Sequence, residues 1–166
     1  MSTAVGGRQV PSKGGNIFDH IEVNYEWENG VRGFIAQRQS DGCYGENKLY
    51  LMGSRGVGEL APPPRGAQIS GAETWRFKGS TGRGMYQNEH DEFFLSLRDG
   101  KPLNNGDRMW QSTLMAIMGR MAAYTGKQVT WDMALNSQQV LMPEITDWTS
   151  PVTVPPMALP GLTEFA

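Results

Sequence analysis

Apolar and polar residues alternate most regularly in the segment "FDHIEVNYEWENGVRGFIAQRQ", which predicts two strands joined by a tight turn. The apolar residues of the first strand share one face and are Ile21, Val23, Tyr25 and Trp27. Asn29-Gly30 predicts a two-residue type I′ turn, because both positions favour positive φ. This turn places Tyr25 opposite Phe34 and brings the apolar side chains of both strands onto one face. The other face carries His20, Glu22, Asn24 and Gln37, with Ile35 among them.

Further strand signals follow this hairpin. The segment "NKLYLMGSRGVGEL" predicts a second hairpin with its turn at residues 53–56, and "ETWRF" at residues 73–77 predicts another strand. The intervening "APPPRGAQISG" is predicted to be a loop, because proline cannot donate to the hydrogen-bond ladder of a central strand. The glycine-rich "KGSTGRG" at residues 78–84 is predicted to be a connector.

The pattern then changes to helical spacing. The segment "YQNEHDEFFLSLRDG" predicts a helix that ends at Gly100, and "TWDMALNSQQ" predicts a short helix capped by Thr130. Between them, a long helix is expected to start near Asp107 and to end at Gly126. One side of this helix carries an apolar stripe of Trp110, Leu114, Ile117, Met118 and Met121. A second stripe of Ala116, Gly119 and Ala123 would let a neighbouring element approach closely.

Strands that precede helices predict the α+β class, with a mainly antiparallel open sheet, helices packed on one face and a proline-rich C-terminal tail. Residues 1–142 are expected to form one domain. Residues 143–166 contain several prolines, which exclude a regular helix, and are expected to lie extended along the surface of that domain.

Composition excludes several classes of function. The 166 residues carry a net charge of −2, and no basic stripe indicates nucleic-acid binding. No apolar run reaches the length of a membrane span, and the first residues do not resemble a signal peptide, so a cytoplasmic location is the default unless a longer precursor carries a signal. A single cysteine, Cys43, excludes an internal disulfide, and no metal site is expected.

Few residues indicate chemistry. In "GGRQ", the glycines permit close backbone approach, and Arg8 and Gln9 offer donors that suit a sugar or a carboxylate. A strand with a bulge explains the same residues equally well. Asp19 is expected to be a turn acceptor, and strand geometry is expected to direct it and His20 to opposite faces. His90 is more simply explained as a structural or capping residue than as a catalytic residue or a metal ligand, and no catalytic residue is assigned.

The long segment "EHDEFFLSLRDGKPLNNGDRMWQSTLMAIMGRMAAYTGKQVTWDMALNS" resembles the C-terminal portion of the Gfo/Idh/MocA oxidoreductases. The segments "GGRQV", "GNIFDHIEVNYEWENGVRGFIAQRQ" and "PPMALPGLTEFA" resemble a bacterial subfamily associated with sugar substrates. The resemblance covers nearly the whole chain in one order. It implies a domain with an open antiparallel sheet that lines a sugar or polyol site and builds an oligomer interface.

The resemblance also implies a Rossmann domain that binds NAD(P), but the βαβ fingerprint and the E-K-P and D-x-x-x-H motifs do not occur in this sequence. We therefore expect no cofactor site in the chain itself, and no activity without a cofactor-binding domain. By resemblance, Arg8 and Gln9, and more weakly His20, are substrate contacts. The expected partners are a second copy of the chain at the sheet face and a separate Rossmann domain. The alternative is a stand-alone carbohydrate-binding or assembly module without redox activity.

Overall fold

The computed structural model describes residues 1–10, 15–62, 66–78, 84–143, 145 and 147–166. Its strands are β1 (Ser2–Gly7), β2 (His20–Glu26), β3 (Arg32–Arg38), β4 (Leu49–Gly53), β5 (Gly56–Ala61), β6 (Gly66–Gly71) and β7 (Trp75–Arg76). Its helices are α1 (Met85–Arg98), α2 (Gly106–Thr125) and α3 (Trp131–Leu135). The α+β class is confirmed, but the strands form two antiparallel sheets where one sheet was expected. None of the helices in these ranges is both long and apolar enough to cross a membrane.

The chain forms two compact units, one made of residues 1–43 and 105–166 and the other of residues 44–104. In the first unit, the sheet has the order β1-β2-β3, and α2 packs across β1 and β2. The core between them contains the buried side chains Val23, Tyr25, Met118, Met121, Ala122, Val129 and Ala134. The apolar face predicted for the first strand of the hairpin is therefore the face that α2 covers.

The small residues of α2 set its distance from the sheet, as predicted. A Cβ atom added at Gly119 would lie 3.1 Å from both methyl groups of Val23, and Ala123 is fully buried. The Tyr25 hydroxyl, which lies against Gly119, donates a hydrogen bond of 2.8 Å to the Met115 carbonyl. The helix ends at Gly126, whose φ of 69° is the left-handed conformation that favours glycine.

The register of the first hairpin differs from the prediction. Tyr25 lies opposite Gly33, not Phe34, because the loop has three residues and Trp27 pairs with Val31. Only Gly30 in this loop has positive φ, which is typical of a type I turn followed by a bulge and not of a type I′ turn. The one-residue shift moves the residues of β3 to the opposite faces: Ile35 and Gln37 join Val23 on the inner face, and Phe34 and Ala36 join Asn24 and Glu22 on the outer face.

A glycine opposite Tyr25 explains the observed register. A Cβ atom added at Gly33 would lie 3.1 Å from the Trp27 indole ring, so this ring rests directly on the bare backbone of β3. In the predicted register, Phe34 would occupy the position opposite Tyr25. Aromatic packing in the hairpin therefore favours the longer loop.

The second unit contains the four-stranded sheet, with the order β4-β5-β6-β7. The hairpin β4-β5 and its turn between Gly53 and Gly56 are confirmed, and part of the strand predicted at residues 73–77 forms β7. The prediction of a loop was wrong for Gly66–Gly71, which forms β6 between β5 and β7. The prolines lie before this strand and leave its own amides able to pair.

The predicted helix ends are also found in the structure. Helix α1 is followed by Gly100 with a φ of 68°, and the Thr130 hydroxyl caps α3 by accepting from the Met133 amide. Asn105 is the N-cap of α2, although its side chain makes no capping hydrogen bond. The predicted connector at residues 78–84 falls mostly outside the described residues.

The C-terminal tail contacts the first unit at particular points. The Gly161 amide donates to the Thr125 carbonyl at 2.8 Å, the Ser137 hydroxyl donates to the Ala166 carbonyl, and Phe165 packs against the core. The Trp148 side chain, by contrast, is fully exposed. The attachment points of the tail are therefore near its end.

Candidate functional site

The end of β1 and the start of β2 bring the predicted contact residues together. Gly7 is the register partner of His20, and the Asp19 amide donates to the Gly7 carbonyl at 3.0 Å. Arg8 and Gln9 follow Gly7 directly, so all three predicted contact residues lie at one end of the same strand pair. We refer to Arg8, Gln9, Asp19 and His20 as the strand-end cluster.

Asp19 is the centre of the strand-end cluster. Its Oδ2 atom accepts hydrogen bonds from the backbone amides of Gln9 at 2.9 Å and Val10 at 2.7 Å. Its Oδ1 atom lies 2.8 Å from the His20 Nδ1 atom. The Val10 amide, followed by the His20 side chain, lowers the pKa of Asp19 to about 2, so this carboxylate is ionised at neutral pH.

Asp19 accepts from backbone amides, as expected of a turn acceptor, but the two amides belong to Gln9 and Val10 at the other end of the loop and not to a local turn. The prediction that strand geometry keeps Asp19 and His20 apart was wrong. Asp19 precedes β2, which begins at His20, so the alternation of side chains within a strand does not apply to it. The carboxylate can therefore reach back to the imidazole of the next residue.

His20 stands at the accessible edge of the strand-end cluster. Its side chain is 37% exposed, against 11% for that of Asp19. A Cβ atom at Gly7 would lie 3.5 Å from the ring Cε1 atom and 3.6 Å from Nε2, so a side chain at this position would cover part of the ring. Glycine at position 7 leaves that side of the imidazole uncovered.

The two polar residues of "GGRQ" differ in how they take part. The Arg8 guanidinium donates a hydrogen bond of 2.8 Å to the Gly15 carbonyl, which ties it to the same loop. Gln9 contributes its backbone amide to Asp19, and its side chain is exposed.

The pairing of β1 with β2 continues without a bulge through Gly7. Gly6 allows close approach, because a Cβ atom there would lie 2.9 Å from the His20 carbonyl oxygen.

An aromatic anchor holds the second arm of the loop in place. The Phe18 ring stacks on the Tyr124 ring of α2 with 4.1 Å between centroids, and the Phe18 amide donates to the Tyr124 hydroxyl at 2.9 Å. The Arg120 guanidinium lies 4.1 Å from the centroid of the same Tyr124 ring. Sequence reasoning missed this anchor, since the two aromatic residues are far apart in the chain. The only available signal was an aromatic residue directly before "DH".

A separate groove of about 600 Å³ opens between the inner face of the sheet and α2. Helix α2 packs on β1 and β2 and does not cover β3. Ile35 and Gln37 of β3 therefore form part of the wall of the groove. Phe18 and Tyr124 line the same groove, whereas Arg8 and His20 are not part of its lining. The groove and the strand-end cluster are therefore distinct features that share the aromatic anchor.

The remaining candidates do not form a second site of this kind. His90 is exposed on α1, and its Nδ1 atom lies 3.0 Å from the Tyr86 carbonyl one turn earlier, in agreement with a structural role. Cys43 is exposed with a free thiol. Within the described ranges, no three His, Cys, Asp or Glu residues are grouped so that they could hold a metal ion.

Comparison of the chain with protein-family models, with curated proteins and with solved structures gave no match. The fold class and the strand-end cluster are therefore known from the residues and contacts of this chain alone.

Proposed function

We infer that the chain is the substrate-side and oligomerisation domain of an NAD(P)-dependent oxidoreductase that acts on a sugar or polyol. The observation that carries this inference is the resemblance of four segments, in one order, to the C-terminal portion of Gfo/Idh/MocA enzymes. The reaction would be hydride transfer between the nicotinamide and a carbon that bears a hydroxyl group. A separate cofactor-binding domain would hold NAD(P), and this chain would bind and orient the substrate.

The strand-end cluster supports a role in substrate binding. It combines a guanidinium, an exposed amide and a carboxylate-bound imidazole at one end of a strand pair. Such a mixture of donors and acceptors suits a polyhydroxylated ligand, whose hydroxyl groups both donate and accept hydrogen bonds. The contacts of Asp19 with two backbone amides hold the two arms of the loop together.

The second unit supports docking of a further domain. One face of its sheet carries the apolar residues Leu49, Leu51, Leu60, Ile69 and Trp75, each about half exposed. Contiguous apolar patches of this kind mark interaction surfaces in soluble proteins. We assign this face to the Rossmann domain, because the inferred reaction requires a partner that holds the cofactor.

The outer face of the three-stranded sheet supports pairing with a second copy. Val5 and Phe34 are about two-thirds exposed on this face. On this face the central strand β2 carries Glu22 and Glu26, whereas the edge strand β3 carries Arg32 and Arg38, and Arg32 pairs with Glu26 of the same chain at 3.2 Å. A two-fold axis that runs parallel to the strands, midway between β2 and β3, would place the acidic strand of one copy against the basic strand of the other. The observed register changes this face from the prediction, since it brings Phe34 and Ala36 onto it together with Arg32 and Arg38.

The test is to purify the native gene product from its source cells, together with its partners, and to determine its intact mass. The preparation is then assayed for NAD⁺ and NADP⁺ reduction with a panel of sugars and polyols. We expect either a product heavier by one domain or a bound cofactor-binding partner, with turnover of at least one polyol. An unpartnered product of 18.4 kDa without any nicotinamide reduction would reject the proposal.

The second candidate is a stand-alone carbohydrate-binding module. The contacts of Asp19 with His20 and with the Gln9 amide lie within this chain, so the strand-end cluster forms without a second domain. Calorimetry of the 166-residue chain with the same sugars separates the two candidates. Affinity that nicotinamide nucleotides do not change, for a product that has no partner in cells, favours the module.

A further inference from the structure

We propose that Asp19 is a positioning residue that keeps the His20 imidazole protonated on Nδ1, so that Nε2 accepts a hydrogen bond from a ligand hydroxyl. The identity of the ligand as a sugar or polyol rests on the proposed function. The positioning itself depends only on contacts within the chain. It makes His20 a residue that selects for a donor group on the ligand.

The first step concerns which atoms can donate. An ionised carboxylate has only acceptor positions, and the contacts of Asp19 with two backbone amides keep it ionised and fixed in place. The short distance of 2.8 Å between its Oδ1 atom and the His20 Nδ1 atom therefore requires a proton on Nδ1. Neutral imidazole carries one proton, so Nε2 has an unprotonated lone pair.

The second step concerns access to Nε2. The His20 side chain is 37% exposed, whereas the carboxylate that orients it is nearly covered. Residue 7 is a glycine, and a Cβ atom added there would lie 3.6 Å from Nε2. A ligand can therefore approach the nitrogen without displacing the carboxylate that sets its protonation.

The third step concerns selectivity. A nitrogen lone pair in a fixed position binds a hydroxyl hydrogen and gives no hydrogen bond to a carbonyl oxygen or an ether. An analogue that lacks the hydroxyl loses this hydrogen bond, and because water can reach the partly exposed ring in its place, the expected discrimination is modest. The expected preference is for polyols over their deoxy analogues.

The decisive measurement is the tautomer of His20, obtained from long-range proton–nitrogen NMR spectra of the imidazole rings. The chain has two histidines, so the assignment requires only a His90→Gln variant. At about pH 8.5, where an ordinary imidazole is neutral, we expect a protonated Nδ1 and an unprotonated Nε2 in His20. A protonated Nε2 in the wild-type protein overturns the proposal, whatever any variant does.

Asp19→Asn tests the cause of the tautomer. If the asparagine oxygen continues to accept from the Gln9 and Val10 amides, its NH₂ group faces His20 Nδ1 and moves the imidazole proton to Nε2. The same reversal of tautomer is known for an Asp→Asn change beside the catalytic histidine of a serine protease. Asp147→Asn is the matched control, because Asp147 also accepts from a backbone amide, that of Thr149, at 2.7 Å. We expect the control to leave His20 unchanged.

Ligand binding is measured on the same samples with D-glucose, myo-inositol and 2-deoxy-D-glucose as probes. Concentrations reach about 50 mM, because the chain without its cofactor-binding domain forms only part of the proposed site and should bind weakly. We expect at least one polyol to shift the His20 ring signals and to bind Asp19→Asn about three- to tenfold more weakly. Polyol binding that leaves His20 unperturbed, or no binding at all, overturns the acceptor role. Either result leaves the nicotinamide assay of the native product to decide the proposed function independently.

Discussion

Gly119 is the residue that lets α2 approach the three-stranded sheet. Its neighbours are the Val23 methyl groups and the Tyr25 hydroxyl, which occupy the space that a side chain would need. The helical spacing of the small residues identified this stripe in the sequence, and a glycine in the middle of a helix costs about 1 kcal/mol relative to alanine. Which side chains fill the space next to it depends on the packed structure.

We predict that Gly119→Ala destabilises the protein by about 1–3 kcal/mol, since overpacking outweighs the gain in helix propensity. Urea unfolding followed by circular dichroism measures the change. Gly45→Ala is the control, because a Cβ atom there meets nothing within 4 Å. It should change the free energy of unfolding by less than about 0.5 kcal/mol. A Gly119→Ala variant that is more stable than the wild type would contradict the described packing.

Asp19 predicts a particular response to acid. Its pKa is about 2 in the folded protein, against an ordinary value of 3.8, so it favours the folded state above pH 3.8 and loses this effect as the pH falls towards 2. We expect the Gln9 and Val10 amide signals to follow this titration in NMR spectra, and the loop to open below it. Asp19→Asn should remove that part of the pH dependence. The same titration near the ordinary pKa would show that the amide contacts are not formed in solution.

At the scale of elements, local signals explain the helix ends and one hairpin, while packing explains the register of the other. Gly100 and Gly126 end their helices with positive φ, and residues 53–56 form the predicted turn. Asn29-Gly30 is an equally strong local signal, yet its turn has a different type. The reason is that the contact between Trp27 and Gly33 favours a register one residue away from that of the two-residue loop.

The turn type predicts unequal effects of two substitutions. Gly30→Ala should cost about 1–2 kcal/mol, because Gly30 has a φ of 80° that is unfavourable for an L-residue with a Cβ atom. Asn29→Ala should cost only about 0.5–1 kcal/mol, the contribution of the hydrogen bond from the Val31 amide to its side chain. Thermal unfolding of both variants provides the comparison. Equal effects would indicate a type I′ turn, in which both positions need positive φ.

At the scale of the whole molecule, the outer face of the three-stranded sheet is the surface most directly open to test. We predict that Phe34→Glu shifts a dimer of the chain to a monomer, because it places a charge in the centre of the proposed two-fold interface. Size-exclusion chromatography with light scattering at micromolar concentrations measures the mass. Val140→Glu is the control, since Val140 is also highly exposed in the same unit but lies outside the sheet. A wild-type monomer under these conditions would reject the interface.

The sequence by itself determined the α+β class, the ends of the helices and the second hairpin. These features depend on backbone sterics and capping within a few residues, which local patterns contain. Strand β6 was missed because the prolines before it were taken to exclude pairing throughout the segment, although its own residues retain their amides.

Only the tertiary structure decided the hairpin register, the division of the strands between two sheets, and the contact of Asp19 with His20. The register depends on side-chain packing between Trp27 and Gly33, and the other two depend on residues that are distant in the chain or on the precise start of a strand. Phe18, for example, is held by Tyr124 more than a hundred positions later, and this anchor directs the next two residues into the strand-end cluster. Alternation assigns a residue to a face only within a strand, so it could not predict what Asp19 contacts immediately before one.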